Sequence, residues 1–314
     1  MCIAFWTLDS RINCWTWLNL SNLHYTFGMD LIEGIESEIR RLRMIQLEIN
    51  REILAGKFRI PIHMGFGHET LAVTCVAALE PNDFVFLTHR NIHFQIALGA
   101  SLEELENEYL LKSDGLAKGK LGSMNLMNPI KGNIYTSNIL GNNLAVALGS
   151  GLASTVGNSG GVIWVITGDG AIEEGVFYES LLIASSLGLP IVYVVENNQW
   201  SLATNIDQRR IPIDLRKLAA SLSIEFSPLH GNNVTEYLST FRKIRNEVCE
   251  SMKPQLVEVN LESLGGFITD IGGDSERYIN YHAGAVRIEP SDHGLLVNNS
   301  SDPIFNISEK PVGK

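Results

Sequence analysis

No run of about eighteen apolar residues appears anywhere in this 314-residue chain, so the sequence offers no membrane-spanning helix. Cysteine is scarce. Cys2, Cys14, Cys75 and Cys249 are the only four, and none sits in a CxxC pair. The expectation is reduced, unpaired thiols in a cytoplasmic protein. Basic charge is in deficit: 24 Lys and Arg face 35 Asp and Glu, a net charge of −11. Nucleic-acid binding draws on clustered Lys and Arg, so this balance argues against it. No segment repeats at a fixed period. A dinucleotide fingerprint is missing too, because Gly149 and Gly151 form only the beginning of GxGxxG and follow no clear strand. Residues 1–28 lack a basic start and a clean apolar stretch, which makes them a poor signal peptide. They read as an extension of uncertain role, or Met29 is the start.

What is present is an ordinary globular composition, 45% apolar and 19% charged, at a length that can bury a sizeable core. Leu31, Ile35, Ile39, Leu42, Ile45, Ile49 and Ile53 recur at helical spacing and predict a helix from Asp30 to about Leu54. Gly67-His68-Glu69 opens a second helix, and Phe84–Leu87 reads as a short buried strand. Ser101 and Glu104 have the spacing of a capping box, which predicts a helix over Ser101–Leu111. Residues 113–143 are rich in glycine and asparagine. A loop of that length inside a domain is often functional. A small-residue helix, Leu144 to about Ala153, follows it.

The centre carries the clearest pattern. Val162–Ile166 and Ile191–Val195 are continuous apolar runs, as expected of parallel strands buried on both faces. A helix from about Glu173 to Ser186 lies between them, completing a βαβ unit. Further helices are expected over Ile211–Leu222 and Val234–Met252, and a strand over Leu256–Val259. Beyond Gly265 no regular structure can be read. The predicted fold is α/β, a mostly parallel sheet with helices on both faces. The domain spans 29–262, with 263–314 as a divergent tail.

Ligands of open parallel sheets bind beyond the carboxyl ends of strands. Asp169 and Asn198 each sit just past such an end. Together they offer hard oxygen donors suited to magnesium or calcium. Gly168 and Gly170 let the backbone approach a large anion, and the helix that follows aims its positive end at the same place. The implied ligand is a diphosphate bridged by a divalent metal.

The segment GDGAIEEGVFYESLLIASSLGLPIVYVVENN resembles the thiamine diphosphate motif, which starts with GDG and ends with NN. HMGFGHET, THRNIH, AKGKLGSMN and NILGNNLAVALGSGLA fall in order before it. Over about residues 30–260 the chain resembles the alpha subunit of the heterotetrameric 2-oxo acid dehydrogenases, the decarboxylating component of pyruvate, branched-chain and acetoin complexes. The resemblance implies thiamine diphosphate with Mg2+. Asp169, Asn198 and the Trp200 carbonyl would bind the metal. His89, Arg90, Gly168, Gly170 and Ala171 would contact the diphosphate, and Asn138 and Leu140 would hold the aminopyrimidine through backbone atoms. His63 would line the channel for a small 2-oxo acid. It also implies a beta subunit that brings the pyrimidine-side domain and a catalytic glutamate, most simply as α2β2.

Three departures from the family pattern bear on the second half-reaction. Ile92 stands where the family usually has histidine, with His93 next to it. LESLGGFITD replaces a histidine-bearing YRYHGHS-like loop, so that Tyr281-His282 becomes the candidate substitute. Asp302-Pro303-Ile304 resembles the DPI that precedes the family's C-terminal helices, and ten residues follow it here (305–314 of the sequence). Acyl transfer to a lipoyl acyltransferase therefore stands beside two alternatives: a carboligase that passes the unit to a sugar or other small carbonyl, and a cofactor-binding scaffold without turnover.

Overall fold

The computed structural model describes residues 28–308 apart from 158–159, 203, 271–275, 281 and 288. The uncertain N-terminal extension therefore lies outside the described residues, except for Gly28.

α1 (Gly28–Leu54) is a long amphipathic helix whose Ile35, Ile39, Leu42 and Ile49 are fully buried. α2 (Glu69–Val76) follows and is buried over nearly its whole length. β1 (Phe84–Thr88), α3 (Ile92–Ala97) and α4 (Leu102–Tyr109) come next, and Ser101 with Glu104 forms the expected capping box on α4. β2 (Asn133–Ser137) and α5 (Asn142–Gly157) lead into β3 (Ile163–Gly168), α6 (Gly175–Leu187) and β4 (Ile191–Asn197). A small hairpin of β5 (Trp200–Ser201) and β6 (Thr204–Asn205) runs into α7 (Ile206–Arg209) and α8 (Leu215–Ser221). β7 (Glu225–Leu229), α9 (Val234–Ser251) and β8 (Gln255–Asn260) complete the main body. Beyond them lie an antiparallel hairpin, β9 (Gly266–Asp270) with β10 (Glu276–Asn280), and α10 (Pro303–Ser308).

Six strands pair in parallel in the order β2-β1-β3-β4-β8-β7. The side-chain alternation of β3 and β4 divides the core between the two faces of the sheet. Trp164, Ile166, Val192 and Val194 meet α1, α2 and α9. Ile163, Val165, Tyr193 and Val195 meet α5, α6 and α8. Both faces are covered, which is why these two strands read as unbroken apolar runs.

The chain leaves β1 toward β2 on one side and returns to place β3 on the other. That reversal is a topological switch point, where a crevice opens at the carboxyl ends of the strands.

Two strands of this sheet were not legible in the sequence, nor were the β5–β6 and β9–β10 hairpins. β2 lies in the glycine- and asparagine-rich stretch, pairs with β1 across a register shift, and has only an edge to fill. β7 is the opposite edge and carries Pro228, which an edge strand tolerates. The segment from His282 to α10 packs back on the body. Asp302 is fully buried and receives Arg43 Nη2 at 3.0 Å, while Arg43 Nε donates to Glu69 at 2.6 Å.

Candidate active site at the strand switch point

A cavity of about 300 Å³ opens at the carboxyl ends of β1, β3 and β4. Its walls hold His63, His89, Arg90, Asn138, Leu140, Gly168, Asp169, Gly170, Ala171, Asn198, Trp200 and His282, every residue singled out from the sequence. His68, Thr88, Met124, Glu196, Ser201 and Leu202 complete the lining and were not expected there. Of these, His68, Thr88, Met124 and Glu196 carried a signal, since they lie inside HMGFGHET, THRNIH, AKGKLGSMN and the segment ending in NN.

Each part of the wall has a local cause. Gly67 takes φ +93°, and a Cβ there would fall 2.0 Å from the Glu262 carbonyl oxygen, so only glycine lets the chain pass so close. Glu69 accepts the Gly67 amide at 2.8 Å and is itself held by Arg43 and Gln46. That brace fixes the turn bearing His68. The 117–124 loop is organised by Glu108, whose buried carboxylate accepts four backbone amides: Ala117 and Gly119 at 2.8 Å, Leu121 and Gly122 at 3.0 Å. Asn125 at the end of this stretch then accepts the Asn138 amide at 3.2 Å.

On the β1 side, three rings converge. His63 lies with its centroid 4.6 Å from His89 and 4.8 Å from His282. Burial first, then Arg90 and the neighbouring rings, pushes His63 down to about 2 and His89 to about 4. His282 is lowered as well, by burial and by Arg90. These imidazoles are neutral at physiological pH beside a fixed guanidinium. Arg90 donates to the carbonyls of Met64 at 2.6 Å and His282 at 3.3 Å, which anchors the guanidinium on the cavity wall. Among the described residues, buried His63 Nδ1 has no hydrogen-bond partner, as a group waiting for a ligand would be.

On the β3–β4 side, Asp169 is 1% exposed, and burial raises its carboxyl to about 6 even though Arg209 opposes the shift. Arg209 donates to Asp169 at 2.6 Å and also bonds Glu173. A side-chain cation thus sits where the carboxylate calls for positive charge, and a divalent ion meets the same demand. Asn198 Oδ1 accepts the Trp200 amide at 3.0 Å, and Nδ2 donates to Ser263 at 2.8 Å. A Cβ on Gly168 would meet nothing within 4 Å, whereas one on Gly170 would lie 2.6 Å from Ser201 Oγ. A tight 171–173 turn precedes α6, so the helix starts at Gly175 rather than near Glu173. Hard oxygens, an anchored arginine and a glycine turn ahead of a helix fit a metal-bridged diphosphate.

Comparison with known proteins agrees with this geometry. A family model described as the dehydrogenase E1 component matches residues 38–265. This chain belongs to the dehydrogenase E1 component family. The E1 match takes in all of the wall except His282, which lies past its end.

Among relatives, the chain is 29% identical over 218 residues to the alpha subunit of acetoin:2,6-dichlorophenolindophenol oxidoreductase from Bacillus subtilis, covering 69% of this chain and 64% of that protein. It is 28% identical over 205 residues to the pyruvate dehydrogenase E1 component subunit alpha of Rickettsia prowazekii, covering 65% and 63%. The chain thus spans just under two thirds of the length of these relatives. The crystal structure of transketolase from Campylobacter jejuni superposes with a TM-score of 0.55 at 17% identity, over 74% of this chain and 38% of that one. That likeness bears on the fold alone. Among the described residues no helix is long and apolar enough to cross a membrane.

Proposed function

We propose that this E1-family chain is the alpha subunit of a thiamine-diphosphate-dependent enzyme that decarboxylates a small 2-oxo acid and passes on the acyl unit. The observation that carries the reading is the meeting of Arg90, the Gly168–Ala171 turn, Asp169 and Asn198 in one cavity at the sheet's switch point. When bound, thiamine diphosphate supplies the nucleophile and electron sink that such a decarboxylation requires.

Asp169 and Asn198 would hold Mg2+ through side-chain oxygens, with the Trp200 carbonyl as a further donor. Arg90 and His89 would face the diphosphate from the β1 side, and Gly168, Gly170 and Ala171 would offer backbone contacts from the other. Asn138, whose amide is held by Asn125, and Leu140 would meet the aminopyrimidine. His63 and His282, neutral and in ring contact, would line the path of the 2-oxo acid. Neutral imidazoles donate hydrogen bonds without trapping the acid as an ion pair.

The names of both relatives are those of alpha subunits, which supports a heteromer with a beta subunit, most simply α2β2. That partner would bring the pyrimidine-side domain and the catalytic glutamate. His282 reaches His63 from outside the family-matched segment. It supports retention of a transfer histidine and so favours a lipoyl acyltransferase as acceptor over a carboligation or a mute scaffold.

The test is co-purification with the beta subunit, followed by carbon dioxide release from a panel of 2-oxo acids with and without a lipoyl acceptor. Release with lipoyl acylation is expected. Release with a new carbon–carbon bond and no lipoyl transfer rejects the dehydrogenase reading, and no release from any acid rejects catalysis.

A further inference from the structure

A chain of hydrogen bonds runs along the cavity wall and behind it, and two of its members, Ser263 and His93, depart from the family pattern. Asn198 Nδ2 donates to Ser263 Oγ at 2.8 Å. Ser263 Oγ meets His68 Nε2 at 3.0 Å, His68 Nδ1 meets Glu196 Oε1 at 2.9 Å, and His93 Nε2 meets the same oxygen at 3.0 Å. Every member except Asn198 is less than a tenth exposed. Ser263 belongs to the stretch that replaces the YRYHGHS-like loop, and His93 stands one place past the expected histidine.

The direction of each bond follows from what the groups can do. Glu196 Oε1 takes a ring nitrogen from each of two histidines, the geometry of a carboxylate acceptor. A carboxylate only accepts. His68 Nδ1 must therefore carry the hydrogen. Burial keeps His68 neutral, so its Nε2 is an acceptor. Ser263 then donates its hydroxyl hydrogen to His68 and has only lone pairs left for Asn198. The Trp200 amide donates to Asn198 Oδ1 and Ser263 Oγ accepts from Nδ2, so the carboxamide has one orientation in which both bonds exist.

We propose that Ser263 and His68, anchored on Glu196, are positioning residues that act with the Trp200 amide to lock the Asn198 carboxamide with its oxygen turned to the cavity, so that a divalent cation meets an oxygen rather than an NH2 group. Flipped, the carboxamide would present N–H hydrogens to the metal and to the Trp200 amide, and an oxygen to the Ser263 lone pairs. The lock also explains how the site keeps its shape without the usual loop. Leu264 N donates to the Phe66 carbonyl at 2.9 Å, and the Glu262 carbonyl lies over Gly67, so the replacement segment is pinned where Ser263 can reach both Asn198 and His68.

This inference rests on the metal assignment made under Proposed function, and the experiment separates the two. The probe is Mn2+, titrated in the presence of thiamine diphosphate into the full chain co-purified with its beta subunit, with free Mn2+ read by electron paramagnetic resonance. Ser263→Ala is expected to weaken Mn2+ binding about tenfold or more, the range seen when partners that orient metal ligands are removed. Ser263→Thr, which keeps the hydroxyl, should restore affinity to within about threefold of the parent. His68→Phe should weaken binding similarly, and the double variant should be no worse than the weaker single, because both cut one chain. If Ser263→Ala does not fold, Ser263→Cys takes its place with a smaller loss. Parental affinity in the alanine or cysteine variant overturns the lock. Asp169→Ala is the reference. If it loses Mn2+ while Ser263→Ala does not, the lock alone fails; if it too keeps parental affinity, the metal assignment fails first.

Discussion

Two buried carboxylates stand at adjacent strand tips, and their surroundings have opposite effects. Asp169 follows β3, Glu196 closes β4, and the Asp169 amide donates to the Glu196 carbonyl at 3.2 Å. Glu196 receives two imidazole nitrogens and is held ionised. Asp169 has one guanidinium shared with Glu173, and burial still leaves its carboxyl at about 6. The fold completes one charge by itself and leaves the other short of positive partners. That difference supports the proposed roles, Asp169 as a binding group and Glu196 as part of the frame.

Four experiments break or sharpen this contrast, in descending size of effect. Asp169→Ala should abolish Mg2+-dependent cofactor binding by the assembled enzyme, a loss on the order of a hundredfold or more; unchanged affinity by calorimetry contradicts the binding role. Arg43→Ala tests the frame elsewhere. It leaves Glu69 and Asp302 buried without their cation and should cost about 3–5 kcal/mol in denaturant unfolding. Glu196→Gln keeps the shape but gives the two histidines a weaker acceptor, and should cost about 1–3 kcal/mol. Asp169→Asn, in contrast, should leave the metal-free protein at least as stable at pH 7. A loss like that of Glu196→Gln would erase the distinction between the two.

The smallest effect concerns pH. The Asp169 carboxyl titrates above its unfolded value, so its ionisation opposes folding by an amount fully present above pH 6 and lost as pH falls toward 4. Arg209 and Arg210 face it and favour the charged form. Metal-free melting temperatures of the parent should therefore gain slightly on Asp169→Asn between pH 7 and 5. A difference that does not change with pH contradicts the assignment.

Legibility in the sequence followed burial and chemistry. β3 and β4 announced themselves because both faces are covered, and Val162–Ile166 and Ile191–Val195 had to be apolar throughout. GDG and NN were readable because the proposed metal and diphosphate would draw on those atoms at strand tips. β2 and β7 were not, because an edge strand with Asn133, Thr136 or Pro228 satisfies its backbone on one side and needs no apolar pattern. His68, His93 and Glu196 lie in quoted motifs, but their joining with Ser263 into one hydrogen-bonded chain was not legible. Its members come from four separate stretches, and a lone histidine or serine carries no pattern until the fold brings it to a partner. The return of Asp302 to Arg43 across most of the chain's length is of the same kind.

The account stands on a divalent cation held between the tips of β3 and β4. The direct measurement is a crystal of the assembled enzyme grown with thiamine diphosphate and Mn2+, with the ion located by anomalous scattering. The account predicts a single peak bonded to Asp169, Asn198 and the Trp200 carbonyl, with Arg90 on the diphosphate. A peak among His63, His89 and His282 instead, with Asp169 still paired to Arg209, would contradict it.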